Sequence, residues 1–494
     1  FEVINFFCTV MKISELEPQA VWTHFERICA IPRPSHNEQK IRDYIVDFAV
    51  SHSLEYKVDG ALNVIVRKPA SKGMENRKGV VLQAHLDMVP QKNGDKTFDF
   101  DTDAIQAYVD GEWVTADGTT LGADNGVGVA AILAVLESDT VKHGPVEALF
   151  TATEETGMDG AFGLEAGELD GEILLNLDSE TEGELYVGCA GGTDANMRLG
   201  YVPQPVPQYG AALRIDVKGL KGGHSGIEII LQRANANKLM FRMLRSLNDK
   251  FGAELAMIDG GGLRNAIPRE ATAVVVLPKD KKEDAEAELR AMLEVFEAEF
   301  AGIEDSITVL VSDTEMPESV LPHDTFSALT AAVCACPNGV LRMSASMPGL
   351  VQTSNNFARV VSDGTCVSMQ SLTRSSVGTE KMDTALTIRD LFVLAGAEVE
   401  LTGSYDGWNP NMNSPILHAM MRSYEDLFGR KPEVKAIHAG LECGIIGGKY
   451  PGMDMISFGP TICYPHSPDE KVEIASVGRF WKFLCDTLAR IPEK

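Results

Sequence analysis

Between residues 20 and 190, short and almost unbroken apolar runs alternate with stretches of helical period. KGVVLQAHLDMV, VEALFTATEE and EILLNLDS are runs of this kind, each closing on polar residues. Strands buried on both faces of a parallel sheet read this way, because neither face meets water. After GADNG, Val129, Ile132, Leu133 and Leu136 recur at i, i+3, i+4 and i+7. That spacing predicts a helix with an apolar face, with Asp124 in the loop just before it. Near residue 212 the texture changes. LRIDVKGLKGG reads as a strand, LQRANANKLMFRMLRSL as a helix, TAVVVLP as a strand and EDAEAELRAMLEVFEAEF as a long amphipathic helix. A second round follows, with a helix near 325–335, strands in ARVVSD and CVSMQSLTRSS, and a helix around 379–395. From about 405 the first texture returns, and MDMISFGP is another apolar strand. Residues 11–205 and 405–494 are therefore expected to form one discontinuous α/β body. Residues 206–404 are expected to form an inserted α+β domain of two β-α-β-like rounds.

The 494 residues exceed one compact domain, in keeping with two cores. The formal charge of −27, from 44 basic and 71 acidic side chains, argues against nucleic acid or an anionic membrane surface as partner. No apolar run approaches the ~20 residues of a membrane span. FEVINFFCTV has no basic residue ahead of it and no small-residue cleavage pattern, so it reads poorly as a secretory leader. Met11 looks like a start, and residues 1–10 are read as an upstream extension outside the fold. The nine cysteines include no CxxC pair, and Cys334 and Cys336 are too close for an ordinary bridge. A reduced, cytoplasmic protein is the expectation.

Five metal-seeking side chains close hydrophobic runs or sit in the loops beside them: His85, Asp124, Glu155, Asp178 and His466. Imidazole and carboxylate together suit a borderline divalent ion such as zinc. Two imidazoles and three carboxylates exceed one open tetrahedral site, and they suit two ions if one carboxylate bridges them. Such a pair makes hydroxide at neutral pH and polarises a carbonyl or phosphoryl oxygen. In HLD, Asp87 falls on the same strand face as His85 and can hold its second ring nitrogen. Gly122, Gly126 and Gly128 around Asp124 permit close approach and tight turning, although Asp-Asn-Gly alone is a common turn. Of the adjacent pair before GMDG, Glu155 is assigned to metal and Glu154 to the general base. Farther on, His224 lies between glycines, and Arg264, Asn265 and Arg374 stand beside small residues. Donors of this type can hold an oxyanion or a terminal carboxylate.

HLDM, GADNG, TEE-GMDG, NLDSE, GGHSG, LRNAIPRE, HAGLECG and PHSPDE, in this order, closely resemble the aminoacyl-histidine (Xaa-His, carnosinase-like) dipeptidases of the M20 metallopeptidases. The resemblance runs from about Met11 to the C-terminus. It implies a mixed-sheet α/β zinc-peptidase catalytic domain with an inserted α+β lid of ferredoxin-like repeats. It implies two Zn²⁺ per chain, with Mn²⁺ or Co²⁺ as possible substitutes: His85 and Asp178 on one ion, Glu155 and His466 on the other, and Asp124 bridging. Glu154 would be the base, with Asp87 orienting His85. His224, Asn265 and Arg374 would bind substrate or oxyanion, Glu442 would line the pocket, and lid closure would complete the site. The implied activity is hydrolysis of dipeptides, preferentially Xaa-His, by a cytoplasmic homodimer. The same site could serve an N-acyl amino acid hydrolase (aminoacylase or desuccinylase), and an inactive metal- or peptide-binding relative would lack a ligand or the base; neither is missing. Tyr464 departs from the glycine that related enzymes carry before the proline, and its ring is expected to narrow the pocket.

Overall fold

A computed structural model of the chain describes residues 12–208 and 210–494. The reading of residues 1–10 as an extension, and of Met11 as a start, lies outside the described residues. The chain divides into two units. The first takes in the chain up to Gly188, with Pro410–Ala436 and Leu441–Lys494; the second takes in Cys189–Asn409 and Ile437–Gly440.

The first unit is built on an eight-stranded sheet ordered Glu55–Val58, Val64–Lys68, Val146–Thr151, Val80–His85, Ile173–Asn176, Asp454–Ser457, Glu184–Cys189 and Glu433–Ile437. Val80–His85 runs parallel to Val146–Thr151 and to Ile173–Asn176, and Ile173–Asn176 runs parallel to Asp454–Ser457. The strands toward the Glu55 edge pair antiparallel, so the sheet is mixed. Every residue of Val80–His85, Val146–Thr151 and Ile173–Asn176 is buried, which is why their sequences are apolar without alternation. Their registers align His85 with Thr151 and Gln83 with Asn176, so the carboxyl ends of adjacent strands finish side by side. Ligands of open α/β sheets bind beyond such ends.

The helix forecast after Asp124 spans Ala123–Glu137 and is buried on every side through Leu136. The i, i+3, i+4, i+7 residues form only one of its packed faces. Val127, Ala130, Ala131, Ala134 and Val135 fill the others, against the Val80–His85 strand and the helix Gln19–Cys29. A second, four-stranded sheet contains the antiparallel pair Ile462–Cys463 and Lys471–Glu473, and His466 lies in the hairpin loop between them.

The second unit centres on an antiparallel sheet of nine strands. Along Gly210–Lys218 and Ala271–Pro278, Leu213 pairs with Val275, Ile215 with Ala273 and Val217 with Ala271, and all six join a single core. The helices Ala236–Phe251, Lys282–Glu299, His323–Ala335 and Gly378–Leu394 contribute Phe241, Phe296, Phe326 and Phe392 to it. The sequence set the domain crossings at 205/206 and 404/405. The chain enters the second unit earlier, at Cys189, because Gly191–Gly200 is a strand of that unit, paired with Cys366–Ser375 and with Glu398–Tyr405. It leaves at Asn409 and returns for the four residues Ile437–Gly440, a detour that no pattern in the sequence announces. Among the described residues, no helix is long and apolar enough to cross a membrane.

Candidate metal centre

His85 is the last residue of its strand and is 1% exposed. Its Nδ1 lies 3.2 Å from the Asp87 carbonyl oxygen and 3.3 Å from Asp87 Oδ1. A proton on Nδ1 therefore leaves Nε2 as the metal-facing atom. Asp87 is fully buried and also accepts from Ser35 Oγ at 2.8 Å and from the backbone N–H groups of Glu154 at 2.9 Å and Glu155 at 3.2 Å. Burial favours its neutral acid, but His85 and these donors overcome that and hold Asp87 at about 2. One carboxylate thus orients the imidazole and fixes the turn that carries the Glu154–Glu155 pair.

That turn is helical. Had the strand continued, the two glutamates would face opposite ways. Instead Thr153 adopts φ +53° and a short helical turn, Glu154–Gly157, begins at once. A β-branched residue in this region costs about 1–3 kcal/mol and persists only where its surroundings hold it. Here Thr153 Oγ1 donates to Glu38 at 2.8 Å.

The five ligand-type side chains meet in two sets that share Asp124. His85 Nε2 lies 3.1 Å from Asp124 Oδ1 and 3.2 Å from Asp178 Oδ1. His466 Nε2 lies 2.9 Å from Glu155 Oε2 and 3.4 Å from Asp124 Oδ2. One ligand atom each of His85, Asp124 and Glu155 falls within 4.8 Å of the others. Asp124 therefore presents one oxygen to each set.

The electrostatics follow from this crowding. Burial alone would discharge His85, but Asp178, Asp124 and Asp87 drive it well above the ordinary imidazole range. Asp124 and Glu155 push His466 up to about 11. Burial, reinforced by Asp124 and Glu155, raises Asp178 to about 6 against the pull of His85. Burial likewise raises Glu154 far above the usual carboxylate range, with Asp178, Glu442 and Glu155 adding to it and His85 opposing. Glu155 Oε1 is buried with no hydrogen-bond partner. Such a crowd of carboxylates around two imidazoles is short of positive charge, and divalent cations fit the donor set by number and type.

Beneath the ligands runs a buried polar belt that the sequence reading passed over. Asn125 Nδ2 donates to the Leu177 carbonyl at 2.9 Å and to Asp178 Oδ1. Gln83 bonds both Glu442 and Asn176, and Asn176 in turn bonds Ser457. The signal was present, since Gln83 and Asn176 are lone polar residues inside apolar strands, each two positions before a ligand. Buried polar groups need partners, so such residues mark a network. Gly128 lets the helix pass this close: a Cβ there would lie 2.2 Å from Asn125 Oδ1 and 2.7 Å from the Leu177 carbonyl. Glu442, read from sequence as lining the pocket, is 1% exposed; its Oε2 accepts from Gln83 and from Thr151 at 2.8 Å, and its Oε1 has no partner. Burial, then Asp178 and Asp87, push it up to about 8.

In the second unit, His224 Nδ1 accepts from the N–H groups of Gly226 at 3.2 Å and Ile227 at 3.1 Å, which puts the ring proton on Nε2. Burial and the Arg374 charge keep His224 below its ordinary value, so it stands as a neutral donor. Arg374 is 6% exposed; its Nη1 donates to Tyr405 Oη at 3.2 Å and its buried Nε has no partner. His438, not anticipated from sequence, bonds Ser354 at 2.7 Å and is pushed down to about 3 by burial and Arg374. Arg264 pairs with Asp194 and Asn196, so it is not a free donor. Asn265 is exposed on its turn, where its carbonyl accepts from Ser225 N–H at 2.8 Å.

Comparison with known proteins shows what the chain is similar to. The pattern of peptidase family M20/M25/M40 matches residues 81–490. The cytosol non-specific dipeptidase of Escherichia coli (strain K12) is 46% identical over 486 residues, which is 98% of this chain and 100% of that protein. The crystal structure of aminoacylhistidine dipeptidase from Vibrio alginolyticus matches with a TM-score of 0.93 at 46% identity, covering 98% of this chain and 99% of that one. The aminopeptidase PepT from Bacillus cereus ATCC 10987, at 14% identity, shares the fold with a TM-score of 0.57 over 96% of this chain and 99% of its own. By pattern, full-length identity and fold, this chain belongs to peptidase family M20/M25/M40.

Proposed function

We propose that this protein is a dipeptidase that works with two divalent cations, zinc in the first instance, with manganese or cobalt able to use the same donors. The observation that carries this reading is the division of the Asp124 carboxylate, one oxygen beside His85 and Asp178, the other beside His466 and Glu155. Those residues would hold the two ions. When bound, such a pair supplies a water acidic enough to attack at neutral pH and polarises the scissile carbonyl.

The chain's own groups do the rest. Glu154, fixed by its N–H to Asp87, takes the proton of the attacking water and returns it to the leaving amine. The burial that raises its affinity for a proton suits both halves of that transfer. Asp87 keeps His85 in the tautomer a metal requires. His224 offers an Nε2–H to a developing oxyanion. Arg374 offers a buried guanidinium to the substrate carboxylate, with the exposed Asn265 a further substrate donor.

The substrate class follows from likeness to the two full-length dipeptidases, one named non-specific and one named for aminoacyl-histidine. We take dipeptides in general as substrates, with Xaa-His preferred. By likeness to the cytosol dipeptidase the protein is assigned to the cytosol, and the resemblance of its motifs to the M20 dipeptidases adds a homodimer to the proposal. The test is histidine release from an aminoacyl-histidine dipeptide, run beside an N-acyl amino acid, with and without a chelator. Rapid cleavage of the dipeptide, abolished by chelation and restored by zinc, is expected. Full activity after rigorous chelation would exclude the metal mechanism, and faster cleavage of the N-acyl amino acid would replace the substrate class.

A further inference from the structure

Asp124 sits at the centre of both ligand sets, yet its own backbone, at φ −79° and ψ 112°, is not helical. What fixes this turn comes from far along the chain. Glu470, 1% exposed, accepts the N–H groups of four consecutive residues. Its Oε2 takes Leu121 at 2.8 Å and Gly122 at 2.9 Å, and its Oε1 takes Ala123 at 2.8 Å and Asp124 at 3.2 Å. These donors open the helix Ala123–Glu137, where backbone N–H groups have no partners of their own and negative charge is favoured. Glu470 and His466 share the hairpin loop between Ile462–Cys463 and Lys471–Glu473. The carboxylate therefore ties the turn of Asp124 to the loop that carries a ligand of the second set.

Arg33, 2% exposed, braces the same turn from its other side. Its Nη1 donates to the carbonyls of Leu86 at 3.0 Å and Asp87 at 2.7 Å, and its Nη2 donates to the Gly122 carbonyl. Gly122 has φ +70°, and a Cβ there would lie 2.6 Å from Arg33 Nη2, so the approach needs glycine. We infer that Glu470 is the positioning residue that sets Asp124 between the two ligand sets and locks the His466 hairpin to it, with Arg33 fixing the same turn to the His85–Asp87 segment. The inference rests on the two-cation reading above.

The test titrates zinc into the metal-free native protein, Glu470→Gln and the control Asp469→Asn, which removes an exposed carboxylate from the adjacent position. In Glu470→Gln, an amide replaces one acceptor oxygen and confronts the backbone N–H groups. Its affinity for the second ion is expected to weaken by about 10–100-fold. At saturating zinc its kcat is expected to fall with KM for the dipeptide unchanged, while Asp469→Asn behaves as native. If Glu470→Gln binds both ions as tightly as Asp469→Asn, the assignment is overturned. If Glu470→Gln does not fold, Glu470→Asp keeps the charge but withdraws it by one methylene, and the same weakening is expected; native affinity in that variant overturns the assignment equally. A native protein that binds no zinc would instead sink the functional reading and leave the distinction clear.

Discussion

Two polar clusters, one in each unit, use the same residue type to opposite ends. In the first unit His85 and His466 are surrounded by carboxylates, and both rings are driven up, His466 to about 11. In the second unit His224 and His438 lie near Arg374, and both are driven down, His438 to about 3. Imidazole is a neutral reporter here; its company decides the sign. The first cluster wants cations. The second, with a buried guanidinium nitrogen left without a partner, wants an anionic group. The function proposed above would use both, one to activate water and one to grip a substrate carboxylate.

The contrast can be broken at either end. The largest effect is expected from Glu154→Gln, which leaves the ligands in place and removes only the proton acceptor. Turnover should fall by about 10²–10⁴-fold while elemental analysis still finds native metal content. Near-native turnover in this variant would strip Glu154 of its role. Arg374→Ala acts on the other cluster. Hydrogen bonds to a charged group contribute about 1.5–3 kcal/mol, so KM for a dipeptide should rise by about 10–100-fold with metal content unchanged. A dipeptide with its C-terminus amidated should not distinguish this variant from native; an equal loss on both substrates would show that Arg374 does not meet the carboxylate.

The smallest effect is on stability against pH. His438 has its folded value at about 3, below the ordinary 6.5. The unfolded chain takes up this proton first as pH falls, so the contribution is intact above about 6.5 and is lost progressively toward about 3. Denaturant titrations across that window should show stability declining with acid, and His438→Gln should flatten that part of the slope. An unchanged slope would mean that His438 is protonated in the fold.

The candidate centre was legible from sequence because His85, Glu155 and Asp178 close or follow apolar runs, and buried parallel strands leave their polar residues at their ends. The helix after Asp124 was legible from its period, although burial on all sides came from alanines that a one-face reading discounts. Gly191–Gly200 escaped because GGTDANMRLG carries too few apolar residues to mark a strand. Glu470 escaped because a glutamate in SPDE reads as a solvated loop residue; only the fold shows that it meets four N–H groups. Tyr464 gave a partly misleading signal. Its ring does not face inward: it is 62% exposed and lies 5.7 Å from Lys471 Nζ. Its φ of +56° is the conformation that a glycine adopts without strain.

The strand Asp454–Ser457 lies between Ile173–Asn176 and Glu184–Cys189 in the first unit's sheet, although it is made hundreds of residues later than either. During synthesis, the slot between those two strands therefore stands open while the whole inserted segment emerges, and closing it is a contact of very long sequence separation, the slow kind. The hairpin with His466 follows that strand directly. A nascent chain can thus assemble the His85 and Asp178 side before the His466 side exists, so on the proposed reading activity waits for the hairpin beyond Asp454–Ser457 to emerge.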